Sequence, residues 1–166
     1  MIFVTVGSDI PFDRLVRTVD AWARENQRHD VFAQVGRGAW EPEFIPFAPM
    51  LTPTEFRERL TAATVIVAHA GMGTILSALQ HSKPVLVMPR RGKLGETRND
   101  HQMDTARQLL ELGKVNVAFD EEELRTQLDT LGEIEVREPI SPYAELDLIS
   151  GLRAFIHGHP LPHVKS

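Results

Sequence analysis

Residues 69–89 read HAGMGTILSALQHSKPVLVMP, a histidine and two glycines set between one apolar run and a short helical pattern, with a second apolar run behind it. The run before it, Thr64 to Ala68, is continuous and β-branched, the pattern of a strand buried on both faces of a parallel sheet. From Thr74 to Gln80 the residues Ile75, Leu76 and Leu79 follow helical spacing. Gly71 and Gly73 therefore fall at a strand-to-helix turn on the carboxyl edge of a sheet, where backbone N–H groups and the helix dipole converge on an anion. A phosphate fits that corner, and His69 adds a side-chain donor to it. Glycines at such turns also serve chain reversal alone, and a histidine at a strand end also serves structure alone, so the rest of the chain has to decide.

Outward from this corner, strands and helices alternate. Ile2 to Val6 reads as a buried first strand, followed by Gly7-Ser8-Asp9 and a helix with Phe12, Leu15, Val16, Val19 and Trp22 on one face. Val31 to Val35 is a second strand ending in Gly36-Arg37-Gly38, and Phe44 to Phe47 a shorter one bounded by proline. Thr52-Pro53-Thr54-Glu55 has the form of a capping box with proline at the first helical position, opening a helix through Phe56, Leu60 and Ala63. After the quoted stretch come a polar loop from Pro89 to Arg98 and a helix from about Asn99 through Met103, Ala106 and Leu110, stopping at Gly113. Val115 to Phe119 is a last strand, Asp120 caps a helix carrying Leu124, Leu128 and Leu131, and Pro139 to Pro142 introduces a terminal helix through Leu146, Ile149 and Phe155. The alternation predicts an α/β fold: one Rossmann-like, three-layer domain over residues 1–166 with a mainly parallel sheet and right-handed crossovers. Three loops then share its carboxyl edge: Gly7-Ser8-Asp9, His69 to Thr74, and Arg90 to Gln102.

Composition narrows the partners. Lysine and arginine number 18 against 23 acids, a net charge of −5, and no basic run resembles a nucleic-acid stripe, so no nucleic acid is expected. The chain has no cysteine, which excludes disulfides, thiolate metal sites and a cysteine nucleophile. MIFVTVGSD at the start has neither a basic nor a long apolar stretch, and no eighteen consecutive apolar residues occur, so no intrinsic membrane segment is expected.

The loops in this order resemble the C-terminal, donor-binding half of a GT-B glycosyltransferase, specifically the family 28 C-terminal domain. The stretches that carry the resemblance are MIFVTVG at the start, FAQVG at Phe32 to Gly36, HAGMGTILSAL at His69 to Leu79, KPVLVMPRR at Lys83 to Arg91 and LGETRNDHQ at Leu94 to Gln102. Within the family the chain is most similar to the small cytosolic subunits of two-subunit transferases that act on dolichol-linked sugars or in bacterial capsule and exopolysaccharide synthesis. The resemblance implies UDP-sugar-dependent, inverting, metal-independent transfer without a cofactor, to a lipid-linked saccharide acceptor. It also implies a heteromer with a membrane-anchored, acceptor-binding subunit, and a cytoplasmic chain held peripherally at the inner face of the membrane through that partner.

By the same resemblance, His69 and the turn residues Gly71, Met72, Gly73 and Thr74 hold the donor's diphosphate together with Gly7 and Ser8, and Asp100-His101-Gln102, preceded by Asn99, reads sugar hydroxyls. Many relatives carry a glutamate for the ribose where this chain has Ser77, and Glu96 in the nearby loop is the substitute on offer. The loop cations Arg90, Arg91, Lys93 and Arg98 are suited to the diphosphate, to a carboxylated sugar or to an anionic acceptor, while the plain alternative is a solvated surface loop. The catalytic base is either Asp9 on the first loop or a residue of the partner. Two-domain relatives place the acceptor domain ahead of the donor half, and the donor motifs here begin in the first strand, so a separate subunit is expected to supply it. No Asp-x-Asp pair occurs, and His157, His159 and His163 sit in a proline-rich tail, which leaves no expected metal site. Two other classes remain open: a non-catalytic nucleotide-sugar-binding regulator, with which Ser77 is consistent, and a flavodoxin-like or receiver module, which lacks the paired acids a receiver places after its first strand.

Overall fold

The computed structural model describes residues 1–7 and 10–133. The expected terminal helix, the three tail histidines, Ser8 and Asp9 lie outside the described residues. In chain order the elements are β1 (Ile2–Thr5), α1 (Asp13–Glu25), β2 (Val31–Gln34), β3 (Phe47–Ala48), α2 (Pro53–Ala62), β4 (Val65–His69), α3 (Met72–Gln80), β5 (Val85–Met88), a 3₁₀ turn (Gly92–Leu94), α4 (His101–Glu111), β6 (Asn116–Val117), α5 (Glu121–Asp129) and a final 3₁₀ turn (Leu131–Glu133). The six strands form one sheet in the order β3-β2-β1-β4-β5-β6, with every pairing parallel.

The continuous apolar runs have a direct cause, since both faces of the sheet are covered and alternate residues of each strand enter different cores. Ile2 and Val4 of β1 pack with Leu15, Val16 and Val19 of α1 and with Leu124 and Leu128 of α5. Phe3, between them in sequence, packs on the other face with Leu60 of α2, Ile75 and Leu79 of α3 and Leu109 of α4. Helices thus lie on both sides, as right-handed crossovers require.

The strand order also fixes where a ligand can enter. β1 and β4 are neighbours, registered from Ile2 against Val65 to Thr5 against Ala68. From β1 the chain leaves through α1 toward β2, and from β4 it leaves through α3 toward β5 on the opposite side. Their two loops diverge and open a crevice at the carboxyl edge, the topological switch point of this sheet.

Several expected boundaries shift. The short third strand falls at Phe47–Ala48 rather than Phe44 to Phe47, because the backbone N–H groups of Phe44 and Ile45 each donate to the buried carboxylate of Asp20 at 2.9 Å instead of to a neighbouring strand. The fourth strand runs one residue further than expected and includes His69, and α3 begins at Met72 rather than Thr74, so Gly73 is helical. The last strand is confined to Asn116–Val117.

Candidate functional site

The crevice at the switch point is built around His69. As the last residue of β4 it is held in register opposite Met88 of β5. Its imidazole lies between two glycines: a Cβ on Gly71 would overlap Nε2, and a Cβ on Gly7 would come within 2.7 Å of Cε1 and 3.0 Å of Nε2. Gly71 has φ −92 and ψ 126, an ordinary extended conformation, so glycine is needed there for the ring and not for the backbone. Gly7, with φ +79, is required on both counts.

Immediately beyond the ring, α3 starts without a side-chain cap at Gly71. The amide of Ile75 makes the first ladder bond, to the carbonyl of Gly71 at 3.1 Å, so the amides of Met72, Gly73 and Thr74 precede the ladder and point out of the helix end. With the helix dipole behind them they form a partial positive charge beside His69. Gly73 is exposed, and a Cβ built on it meets no atom within 4 Å among the described residues. Glycine inside a helix costs about 1 kcal/mol relative to alanine. Nothing in the described chain needs the space it leaves.

A cleft of about 470 Å³ runs from this corner between α2 and α3. Gly7 and Gln34 form its floor, Met50, Leu51, Pro53 and Phe56 an apolar wall, and Gly73, Thr74, Ser77 and His81 the α3 side, with Arg57 on α2. Gln34 is buried: its Oε1 accepts from Thr5 Oγ1 at 2.8 Å. Thr5 Oγ1 in turn accepts from the amide of Gly7 at 3.3 Å, which ties the end of β2 to the loop after β1. Ser77 Oγ donates to the carbonyl of Gly73 at 2.8 Å.

The polar loop from Pro89 to Arg98 divides into structural and exposed cations. Arg90 is 3% exposed, and its guanidinium donates to the carbonyls of Val6, Ile10 and Pro11 and lies 4.8 Å from the Phe12 ring. It therefore ties the loop after β5 to the loop after β1 instead of presenting its charge to the edge. Arg91 donates to the carbonyl of Phe119. Lys93 and Arg98 are exposed, with no ion pair among the described residues. Glu96 is taken up by Arg14 of α1 in a bidentate pair, 2.6 and 2.9 Å, and accepts the amide of Arg91 at 2.8 Å. Burial of Arg14 opposes its charge, but the pairing with Glu96 and Glu121 outweighs this and its pKa lies above the ordinary arginine value. Glu96 is therefore a brace between the loop and α1, and both of its oxygens already have partners.

At the start of α4, Asp100 accepts the amide of Gly92 at 2.8 Å, and the side-chain oxygen of Asn99 accepts the amide of His101 at 3.4 Å. Gln102 Oε1 accepts the amide of Arg90 at 3.2 Å, which leaves its NH₂ group as the available donor. Asn99, Asp100 and His101 are exposed. The structure thus gathers Gly7, His69, Gly71, Gly73, Thr74 and Ser77 at one corner and the cleft leading from it, with Gln102 in the first turn of α4. It commits Arg90 and Glu96 to bracing. Sequence reading missed Gln34, Arg57 and His81 in the cleft. For Gln34 the signal was present, a polar residue inside an otherwise apolar strand; for the other two none was, because helix-surface residues of any role look alike.

Among the described residues no group of three His, Cys, Asp or Glu side chains is placed to hold a metal, and no helix is long and apolar enough to cross a membrane. The human UDP-N-acetylglucosamine transferase subunit ALG13 is 29% identical over 120 residues, which covers 65% of this chain and 10% of the human protein, so the chain spans about a tenth of that relative's length. The NMR solution structure of ALG13 superposes with a TM-score of 0.59 at 20% identity, over 91% of this chain and 93% of that one. The crystal structure of Os79 from O. sativa in complex with UDP gives 0.60 at 15% identity, over 81% of this chain and 32% of that one. The fold is that of one half of a GT-B glycosyltransferase. The profile of the Glycosyltransferase family 28 C-terminal domain matches residues 1–143, and the chain belongs to that family.

Proposed function

We propose that this chain is the donor-binding catalytic subunit of a two-subunit glycosyltransferase that moves a sugar from a UDP-sugar to a lipid-linked acceptor in polysaccharide synthesis. The observation that carries the reading is the corner where His69, fitted between Gly7 and Gly71, stands beside the uncapped start of α3 and the unneeded space over Gly73. A diphosphate placed there meets the amides of Met72, Gly73 and Thr74 and the imidazole together. These are preorganised positive dipoles aimed at the atoms where charge builds as the nucleoside diphosphate departs, so they favour the transition state over the bound donor. The nucleoside lies along the cleft between α2 and α3, and the sugar lies toward the NH₂ of Gln102 and the exposed Asp100 and His101. Lys93 and Arg98 are the loop cations left for an anionic sugar or acceptor. The base that deprotonates the acceptor is Asp9 or a group of the second subunit. That subunit carries the membrane anchor and covers the carboxyl edge, where Ile10 and Leu94 are 46% and 56% exposed. The ALG13 relative, whose name describes a transferase subunit, supports the division of labour.

Calorimetric titration with UDP tests the corner. The wild-type chain should bind, and His69→Ala should weaken binding by about 1–3 kcal/mol, the range for a hydrogen bond to a charged group. Equal affinity in the folded variant would remove His69 from the site. A non-catalytic regulator would bind UDP in the same way, yet support no transfer when the second subunit is added.

A further inference from the structure

Two polar side chains are buried at the ends of strands that are otherwise apolar. Thr5 of β1 is 0% exposed and Gln34 of β2 is 4% exposed, and the sheet registers them opposite each other. Burying such groups costs free energy unless they are bonded, and apolar residues fill the same kind of place without that cost. Their hydrogen bonds run in one direction. The hydroxyl of Thr5 gives its single proton to Gln34 Oε1 at 2.8 Å, an atom that can only accept, so its lone pairs are turned to the amide of Gly7 at 3.3 Å. Gln34 is itself held by its NH₂ group on Met50 Sδ at 3.9 Å and by its backbone carbonyl, which accepts the amide of Val6 at 3.2 Å.

What these bonds hold is one wall of the slot in which the His69 ring lies. The peptide group between Val6 and Gly7 is planar, so fixing both of its polar ends fixes its tilt. Its N–H is bonded to Thr5 Oγ1, and its carbonyl accepts from the guanidinium of Arg90 at 2.9 Å. Gly7 follows with φ +79 and faces the ring so closely that a Cβ there would come within 2.7 Å of Cε1. A change in the tilt of this peptide therefore moves the wall, and the ring follows the wall. The opposite wall is held locally, because the amide of Gly71 donates to the carbonyl of His69 itself at 2.8 Å. We infer that Thr5, oriented by Gln34, is a positioning residue for His69: its hydroxyl sets the Val6–Gly7 peptide and so aims the imidazole at the anion bound before α3. Thr5 offers a ligand no surface, so it acts through the ring alone. The inference rests on the donor-site reading above.

Calorimetric titration with UDP, with and without His69, tests the assignment. Thr5→Val keeps the shape of the side chain and removes the hydroxyl, and it should weaken UDP binding about fivefold, the scale of one misplaced hydrogen bond. Thr5→Ser keeps the hydroxyl and should stay within about twofold of wild type. In the His69→Ala background, Thr5→Val should change UDP affinity by less than about twofold, because the group it aims is gone. A merely structural role would lower affinity equally in both backgrounds. In the ligand-free chain the Hε1 resonance of His69, identified by its loss in His69→Ala, should move in Thr5→Val and keep its place in Thr5→Ser. Gln34→Met removes the acceptor and leaves Thr5 in place; it too should weaken UDP binding only while His69 is present, and it carries the test if Thr5→Val does not fold. Unchanged UDP affinity in these variants, equal losses in the two backgrounds, a loss that serine does not rescue, or an unmoved resonance would overturn the positioning role and leave the diphosphate corner standing. Failure of the wild-type chain to bind UDP would overturn the donor site and this inference with it.

Discussion

The placement of a single imidazole accounts for much of the chain's glycine usage at the site. Ring atoms of His69 occupy the volume that a Cβ on Gly71 or Gly7 would take, so neither position accepts alanine while the histidine is in place. Gly71→Ala is expected to destabilise the fold by about 1–3 kcal/mol in urea unfolding, the range for overpacking a filled site. In a His69→Ala background the same change should cost much less, because the backbone of Gly71 is in a conformation open to any residue. Additive costs in that double-mutant cycle would show that the ring does not set the glycine requirement. At this scale the sequence was legible where local spacing carries the information: His69, Gly71 and Gly73 were placed at a strand-to-helix corner from residues 64–80 alone. It was illegible where distant parts of the chain meet. That Gly7 exists for His69, or that Arg90 and Glu96 brace loops while Lys93 and Arg98 stay exposed, depends on contacts that charge and spacing do not encode.

At the scale of elements, local chemistry placed the helices well and the short strands less well. The start of α2 was readable because its signals lie within four residues: Thr52 Oγ1 accepts the amide of Glu55 at 3.3 Å, and Glu55 accepts the amide of Thr52 at 2.8 Å. Thr52→Ala should lower stability by about 1 kcal/mol, the usual effect of removing a cap, read from the shift of the urea midpoint. Hydrogen bonds from the Thr52 side chain and then from its backbone hold the Glu55 carboxyl below the usual glutamate range. Its folded pKa is thus below its unfolded one, so the stabilisation is present above the unfolded value and is lost as pH falls through the folded value. The cost of Glu55→Gln should accordingly be seen at neutral pH and shrink once the solution is acid enough to protonate Glu55 in the folded chain. A cost independent of pH would remove the ionised cap. The third strand, in contrast, was misplaced because Asp20, on α1, takes the amides of Phe44 and Ile45; a side chain far along the sequence competes with the sheet for backbone donors.

On the scale of the whole molecule, the candidate site lies along one open edge. Its members come from the ends of β1 and β4 and from the starts of α3 and α4, and Gly73, Lys93, Arg98 and His101 on that edge are exposed. The edge is nonetheless braced. Arg90 clamps the carbonyls of Val6, Ile10 and Pro11, and the Arg14 to Glu96 pair ties the loop after β5 to α1. On the proposed reading the described residues of this surface receive the diphosphate and one side of the sugar from one wall of an open edge. Transfer to a hydroxyl instead of to water needs a second wall that excludes solvent and brings the acceptor in line. The purified chain is therefore expected to bind UDP while giving negligible transfer to a lipid-linked acceptor. On the two-subunit reading, adding a membrane-anchored second subunit should restore transfer and suppress hydrolysis of the donor. The two effects should appear together, since one closed wall produces both. Ile10→Asp or Leu94→Asp on the exposed edge should weaken association with that subunit without changing UDP affinity, measured by copurification from cells and by calorimetry in parallel. Efficient transfer by this chain with no second polypeptide present would mean that the edge closes by itself, and the two-subunit reading would fall.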